Sequence, residues 1–169
     1  MSPPAIVIFG ATSYLGQHLL DDLLQRGYRV FAVTRNPQIS EILLHRWDQR
    51  ITVLTADQIA GAGQVAAVIN LAYVKSELPH QIMRQNARLM RNVHEATVRL
   101  NSPRLIHVST QAVFGYEFDE PPQPVAATRR VGGAYIESKA HAESLAAELN
   151  SKAIYRLDIV RLGNIVGAG

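Results

Sequence analysis

Two ionisable side chains stand out by type and spacing: Tyr135 and Lys139, in the run Tyr-Ile-Glu-Ser-Lys. Four residues apart on a helix, they share a face. A free tyrosine ionises near pH ~10 and moves protons poorly at neutral pH. A neighbouring ammonium favours the phenolate, lowers that value and makes the pair a usable acid/base. Alone, the spacing also describes an ordinary surface pair. Its weight comes from a second constellation near the start of the chain, Gly10-Ala-Thr-Ser-Tyr-Leu-Gly16. Backbone N–H groups along Gly10, Thr12, Ser13, Tyr14, Leu15 and Gly16 can approach an anion there, and a helix starting at the turn adds about half a positive charge. The spacing is G-x-x-x-x-x-G with Ser13 at its centre, not the commonest dinucleotide fingerprint, and a plain strand-to-helix turn is the alternative reading.

The elements that must position these groups follow from hydrophobic patterning. Ala5-Ile-Val-Ile-Phe9 is a short strand buried on both faces, and Gln17–Leu24 repeats its apolar positions at helical spacing. Arg29–Val33 is a second strand, closing with Thr34-Arg35-Asn36-Pro37. In dinucleotide-binding folds an acid here holds a ribose 2′-hydroxyl, whereas an arginine accommodates a 2′-phosphate. No acid is present, so Arg35 favours NADP over NAD; a solvated loop arginine is the other reading. Ile39–Trp47 is a short irregular helix, and Ile51–Thr55 a third strand. Asp57 either lines an adenine pocket or caps the next turn. Gly61–Gly63 is a loop, and Val65–Ala72 a fourth strand.

A helix over residues 77–100 carries Arg84, Arg88 and Arg91 on one face, read as solvated surface, with a subunit contact as the lesser alternative. Arg104–Ser109 is the fifth strand, residues 117–133 a proline-bearing loop, 134–151 a helix and Tyr155–Arg161 the sixth strand. Short apolar strands alternating with helices predict an α/β fold, a doubly wound parallel sheet.

Composition narrows the classes. With 169 residues, 47% hydrophobic and 18% charged, the sequence suits one globular domain, residues 1–169. No apolar run is long enough to span a membrane, and the start lacks a secretory pattern. The absence of cysteine excludes disulfides and thiolate metal sites and fits a reducing cytoplasm. A net charge of +3 without interleaved aromatics argues for anionic small molecules rather than nucleic acid. The six histidines show no pairing with acids that suggests a metal, and no Ser-His-Asp order suggests a hydrolase.

Taken together, the motifs resemble the N-terminal part of the extended short-chain dehydrogenases/reductases, the NAD(P)-dependent sugar epimerase/dehydratase family. Gly10–Gly16 resembles that family's G-x-x-G-x-x-G turn, and Val68-Ile-Asn-Leu-Ala72 its fourth strand. Ser109-Thr-Gln-Ala-Val-Phe-Gly115 is similar to S-[ST]-x-x-V-Y-G, Tyr135–Lys139 to Y-x-x-x-K, and Arg161–Gly169 to R-x-x-N-x-Y-G-x-G. The resemblance implies that Tyr135 exchanges a proton with a substrate hydroxyl or carbonyl. It implies that Lys139 holds the cofactor ribose and tunes Tyr135, and that Thr110 hydrogen-bonds the reacting oxygen. It also counts Asn86, at the family's helix asparagine, among the catalytic residues, and places Leu71 and Ala72 beside the cofactor.

There are departures. Ser13 replaces the middle glycine, Phe114 replaces a tyrosine, and Gln111-Ala112 stands where sugar 4,6-dehydratases have Asp-Glu. Dehydration is thereby disfavoured, leaving epimerase or reductase chemistry on a nucleotide-sugar-like or other carbonyl/hydroxyl substrate. The family continues well past this length into a substrate-binding domain, so a piece of a longer protein or a minimal form is expected. The family pairs subunits through the helices at 77–100 and 134–151, which implies a homodimer. A non-catalytic dinucleotide-binding module, regulatory or redox-sensing, is the rival.

Overall fold

A computed structural model describes residues 3–47, 49–76, 78–114 and 133–163. The elements run β1 (Ala5–Phe9), α1 (Tyr14–Gln25), β2 (Arg29–Val33), α2 (Pro37–Leu44), β3 (Ile51–Leu54), β4 (Ala67–Asn70), α3 (Pro79–Arg99), β5 (Arg104–Thr110), α4 (Gly133–Asn150) and β6 (Arg156–Leu162). Single 3-10 turns follow α2, β3 and β5, at His45–Trp47, Gln58–Ala62 and Gln111–Phe114. All neighbouring strands pair in parallel, in the order β3-β2-β1-β4-β5-β6. This is the doubly wound, Rossmann-like α/β arrangement that the alternating pattern predicts.

Both faces of the sheet are covered. Val7, Phe9, Val68 and Leu105 pack with Ala87, Met90 and Val93 of α3 and Leu145 and Ala146 of α4. Ile6, Ile8, Val30, Ala32 and Ile69 pack with Leu20 and Leu23 of α1 and with Leu44 and Trp47. Burial on both sides is why β1 reads as an unbroken apolar run instead of an alternating one. The Trp47 indole N–H, with the ring 1% exposed, donates to Asp21 Oδ1 at 2.7 Å and so ties the end of α2 to α1.

The chain differs from its sequence pattern mainly at element ends. Helix α1 begins at Tyr14 rather than Gln17 because Ser13 caps it. The expected helix at 39–47 divides into α2 and a 3-10 turn, and the Gly61–Gly63 loop is entered through another. Strand β4 is shorter than the apolar run 65–72, and its pairing with β1 is carried one residue further at each end by Ala66 N–H to Ala5 O and Leu71 N–H to Phe9 O. Residues 117–132 of the expected loop, Gly115 and the 164–169 part of the last motif lie outside the described residues.

Strand order reverses at β1, which pairs with β2 on one side and β4 on the other. The connections leaving β1 and β4 run to opposite faces, so a crevice opens at the carboxyl ends of these two strands, the usual ligand position in such sheets.

Candidate active site at the strand-order switch

Gly10 leaves β1 with φ +85°, a conformation that side chains rarely adopt. A Cβ there would lie 2.7 Å from Ala72 N, because the chain leaving β4 packs directly on the turn. Leu71 N–H donates to Phe9 O at 2.8 Å, extending the β1–β4 pairing past the strands. At Gly16 a Cβ would stand 2.5 Å from Gly10 O, so the first turn of α1 rests on the glycine turn itself.

Ser13, between them, has φ −69° and ψ 161°, so no glycine is required. Its Oγ accepts from Gly16 N–H at 3.1 Å as the helix N-cap, and its own O–H stays available to donate. Serine at the motif's centre therefore replaces backbone freedom with a cap. Thr12 O is occupied by Gln17 Nε2 at 3.2 Å, while Tyr14 and Leu15 open the first helical turn. Tyr14 is exposed, and its ring meets His18 edge-on at 4.6 Å.

At the edge of the crevice, Arg35 follows β2 and is exposed. Its loop is held by Thr34, whose N–H donates to Leu54 O at 2.9 Å and whose Oγ1 accepts from Ser40 Oγ at 2.6 Å. Asp57 is exposed and occupies the N-cap position of the 3-10 turn, with no cap hydrogen bond from its side chain.

Beneath the crevice, Asn70 at the end of β4 is 1% exposed. Its Oδ1 accepts from Ala72 N–H at 3.1 Å, and its Nδ2 donates to His107 Nδ1 at 3.1 Å. That assignment leaves the histidine proton on Nε2, a buried atom with no partner among the described residues. Burial, then the charge of Lys139, pushes His107 down to about 3, so its imidazole is neutral. Thr110 ends β5 half-buried, its Oγ1 accepting from Ala112 N–H at 3.3 Å.

Helix α4 brings Tyr135 and Lys139 to the same end of the sheet. Lys139 is 7% exposed, and its Nζ donates to Val108 O of β5 at 3.1 Å. Burial lowers the Lys139 pKa, and the charge of Glu143 opposes that. Tyr135 is partly exposed, and its pKa is raised, first by burial and then by Tyr73. The sequence expectation that Lys139 lowers Tyr135 is corrected here. The ammonium faces β5 and the Tyr73 ring, 5.3 Å from its centroid, and it is the Tyr73 ring that packs against Tyr135.

Asn86 of α3 is also placed differently from its expected catalytic role. Its Oδ1 accepts from Val74 N–H, and its Nδ2 donates to Val74 O and Ile82 O, each at 2.9 Å. With the carboxamide used in this way, Asn86 is a latch that fixes the 71–76 loop on α3.

Three groups went unmarked in the sequence. Tyr73 carries no motif. His107 reads as an ordinary strand residue. Glu143 could have been found by extending the helix face, since Tyr135, Lys139 and Glu143 recur every four residues. Glu143 is completely buried and accepts from Arg161 of β6, with Nη2 to Oε2 at 2.7 Å and Nε to both oxygens at 3.1 Å. The Arg161 guanidinium lies over Phe114, 4.6 Å from the ring centroid. Phe114 thus stacks on a cation where the motif has a phenol. Among the described residues, no cluster of His, Asp or Glu could hold a metal, and no helix is long and apolar enough to cross a membrane.

A glycine turn at the reversal point of a doubly wound sheet, with tyrosine and lysine on a helix beside it, defines a dinucleotide-type site. The model of the NAD dependent epimerase/dehydratase family matches residues 6–169, and the chain belongs to that family. No curated protein matches the sequence. Similar solved structures include UDP-N-acetylglucosamine 4-epimerase from Bacillus cereus, with 19% identity and TM-score 0.74 over 94% of this chain and 53% of that one. UDP-glucuronic acid 4-epimerase from Bacillus cereus, in complex with NAD, has 18% identity and TM-score 0.71 over 94% and 56%. UDP-glucose 4-epimerase from Bifidobacterium longum, in complex with NAD+ and UDP, has 17% identity and TM-score 0.75 over 93% and 52%. These likenesses are of fold, and the chain spans about half the length of each.

Proposed function

We propose that residues 1–169 are one cofactor-binding domain of an NADP-preferring epimerase or reductase, acting in the cytoplasm on a nucleotide-sugar-like or other carbonyl/hydroxyl substrate. The observation that carries this is the contact between Gly10 and Ala72, which sets the glycine turn against the same loop that meets Tyr135 and Lys139.

The residues fit a dinucleotide. The glycine turn presents the N-terminus of α1, and the Ser13 hydroxyl can still donate to a phosphate. Lys139 spends one hydrogen on Val108 O and has two left for a ribose. Arg35, at the end of β2 with no acid beside it, suits a 2′-phosphate; the NAD in two of the solved structures above makes NAD the competing outcome. When bound, the nicotinamide supplies or accepts hydride. Tyr135 gives its proton to, or takes one from, the substrate oxygen, and Thr110 holds that oxygen by a hydrogen bond. Asn86 acts at one remove, by holding the loop at Val74. Helices α3 and α4 are the proposed faces of a homodimer.

Fluorescence titration with NADPH and NADH tests the cofactor claim, together with Tyr135→Phe. The expected result is tighter NADPH binding, unchanged in the variant, with turnover lost. Preference for NADH sinks the Arg35 argument. Binding of neither cofactor overturns the reading. Equal binding with no turnover in either protein favours a regulatory module.

A further inference from the structure

Tyr73 stands where the two halves of the site meet. One residue earlier, the Ala72 backbone packs on Gly10. One residue later, both backbone groups of Val74 are held by Asn86, so the loop cannot shift independently of α3. Between these anchors the Tyr73 side chain reaches α4 at three positions on one face. Its ring meets Tyr135 edge to face, with centroids 5.0 Å apart at 74°. Its hydroxyl lies 3.3 Å from Ser138 Oγ. Its ring face lies 5.3 Å from Lys139 Nζ. Ser138 already donates to Tyr135 O at 2.8 Å, so its Oγ can only accept, and Tyr73 is the donor of that bond.

We propose that Tyr73 is a positioning residue for the Tyr135–Lys139 pair, locking the phenol ring and the ammonium in place against the glycine turn. The inference rests on the acid/base reading of Tyr135 and adds to it the group that holds Tyr135 in register. Edge-to-face packing fixes the Tyr135 ring, and the negative face of the Tyr73 ring draws the ammonium towards it. The clamp also has a chemical consequence. Tyr73 covers part of Tyr135 and presents a second ionisable phenol, so it opposes loss of the Tyr135 proton. The other ionisable side chains on the loop and on the elements meeting there are Lys75 of the loop, Glu137, Lys139, His141, Glu143 and Glu148 of α4, Arg104 and His107 of β5, and Arg156, Asp158 and Arg161 of β6; of these, Lys139 is the one whose charge lies over the Tyr73 ring. The clamp therefore keeps Tyr135 as a neutral proton donor.

The test is a pH titration of the full chain carrying tyrosine labelled with carbon-13 at the ring carbon bearing the hydroxyl. Tyr135 is assigned through Tyr135→Phe and followed in the parent, Tyr73→Phe and Tyr73→Ala. In the parent, Tyr135 ionises above the ordinary value of ~10. In Tyr73→Ala it moves down by about half a pH unit or more, since both cover and competing phenol are gone. In Tyr73→Phe the shift has the same direction and is smaller. Should Tyr73→Ala not fold, Tyr73→Phe decides alone. A Tyr135 titration that does not move in the folded variants overturns the proposal. Neither cofactor nor turnover enters this measurement, so a parent protein that binds no NADPH would defeat the function proposed above and leave this result standing.

Discussion

His107 makes acid stability a test of the buried site. It sits in β5, 2% exposed, with Nδ1 committed to Asn70, and it titrates at about 3 because burial and Lys139 disfavour its charged form. Unfolded, it titrates near ~6.5. Between these values the unfolded chain holds the extra proton, so the contribution is complete above ~6.5 and is lost progressively as pH falls towards 3. From pH 7 to pH 4.5 the loss from this one group is ~2.5 kcal/mol. Carboxylates also titrate at the acid end, so the informative quantity is a difference between two proteins. His107→Gln keeps an acceptor for Asn70 and cannot take up a proton. Urea unfolding of both proteins at pH 7 and 4.5 should show the parent losing roughly 2–3 kcal/mol more than the variant. Equal losses would refute the neutral buried imidazole, and with it the hydrogen-bond assignment that joins β4 to β5.

Three further outcomes follow from packing at the same end of the sheet. Gly10→Ala forces a Cβ against Ala72 N at a φ of +85°, and should cost more than ~2 kcal/mol and abolish NADPH binding; normal binding with an unchanged melting temperature would contradict the turn. Glu143→Gln leaves the Arg161 guanidinium facing a neutral partner, with its side chain only 18% exposed, and should cost ~2–4 kcal/mol, a fall in Tm on the order of 10 °C. Replacing both partners by methionine should recover much of that loss, and failure of the double variant to improve on the single one would argue against a charge effect. Asn86→Ala removes two hydrogen bonds to Val74 and one to Ile82 O, and should destabilise by ~2–3 kcal/mol. Amide exchange at Val74 should rise in that variant, and unchanged protection there would show that something else holds the loop.

What the sequence determined by itself is the framework. Six short apolar runs between helical periods dictate a parallel sheet, because strands covered on both faces need apolar residues at every position and crossovers long enough for a helix. The glycine turn and the Tyr135–Lys139 spacing were legible too, since both are local: the first is set by backbone geometry within a few residues, the second by one helical turn. Tertiary structure decided what those groups face. Whether an ammonium meets a phenol or a carbonyl depends on the depth at which α4 lies on β5, and here Lys139 is drawn to Val108 O and the Tyr73 ring. Tyr73 acquires its place because β4 ends next to Gly10 and Asn86 holds the following residue, contacts between segments far apart in sequence that no spacing rule encodes. Asn86 likewise becomes a latch, and Glu143 and Arg161 become a buried pair, only once α3, α4 and β6 converge. Local patterns report the backbone's own preferences; the charge state and orientation of a buried side chain come from whatever the fold packs around it.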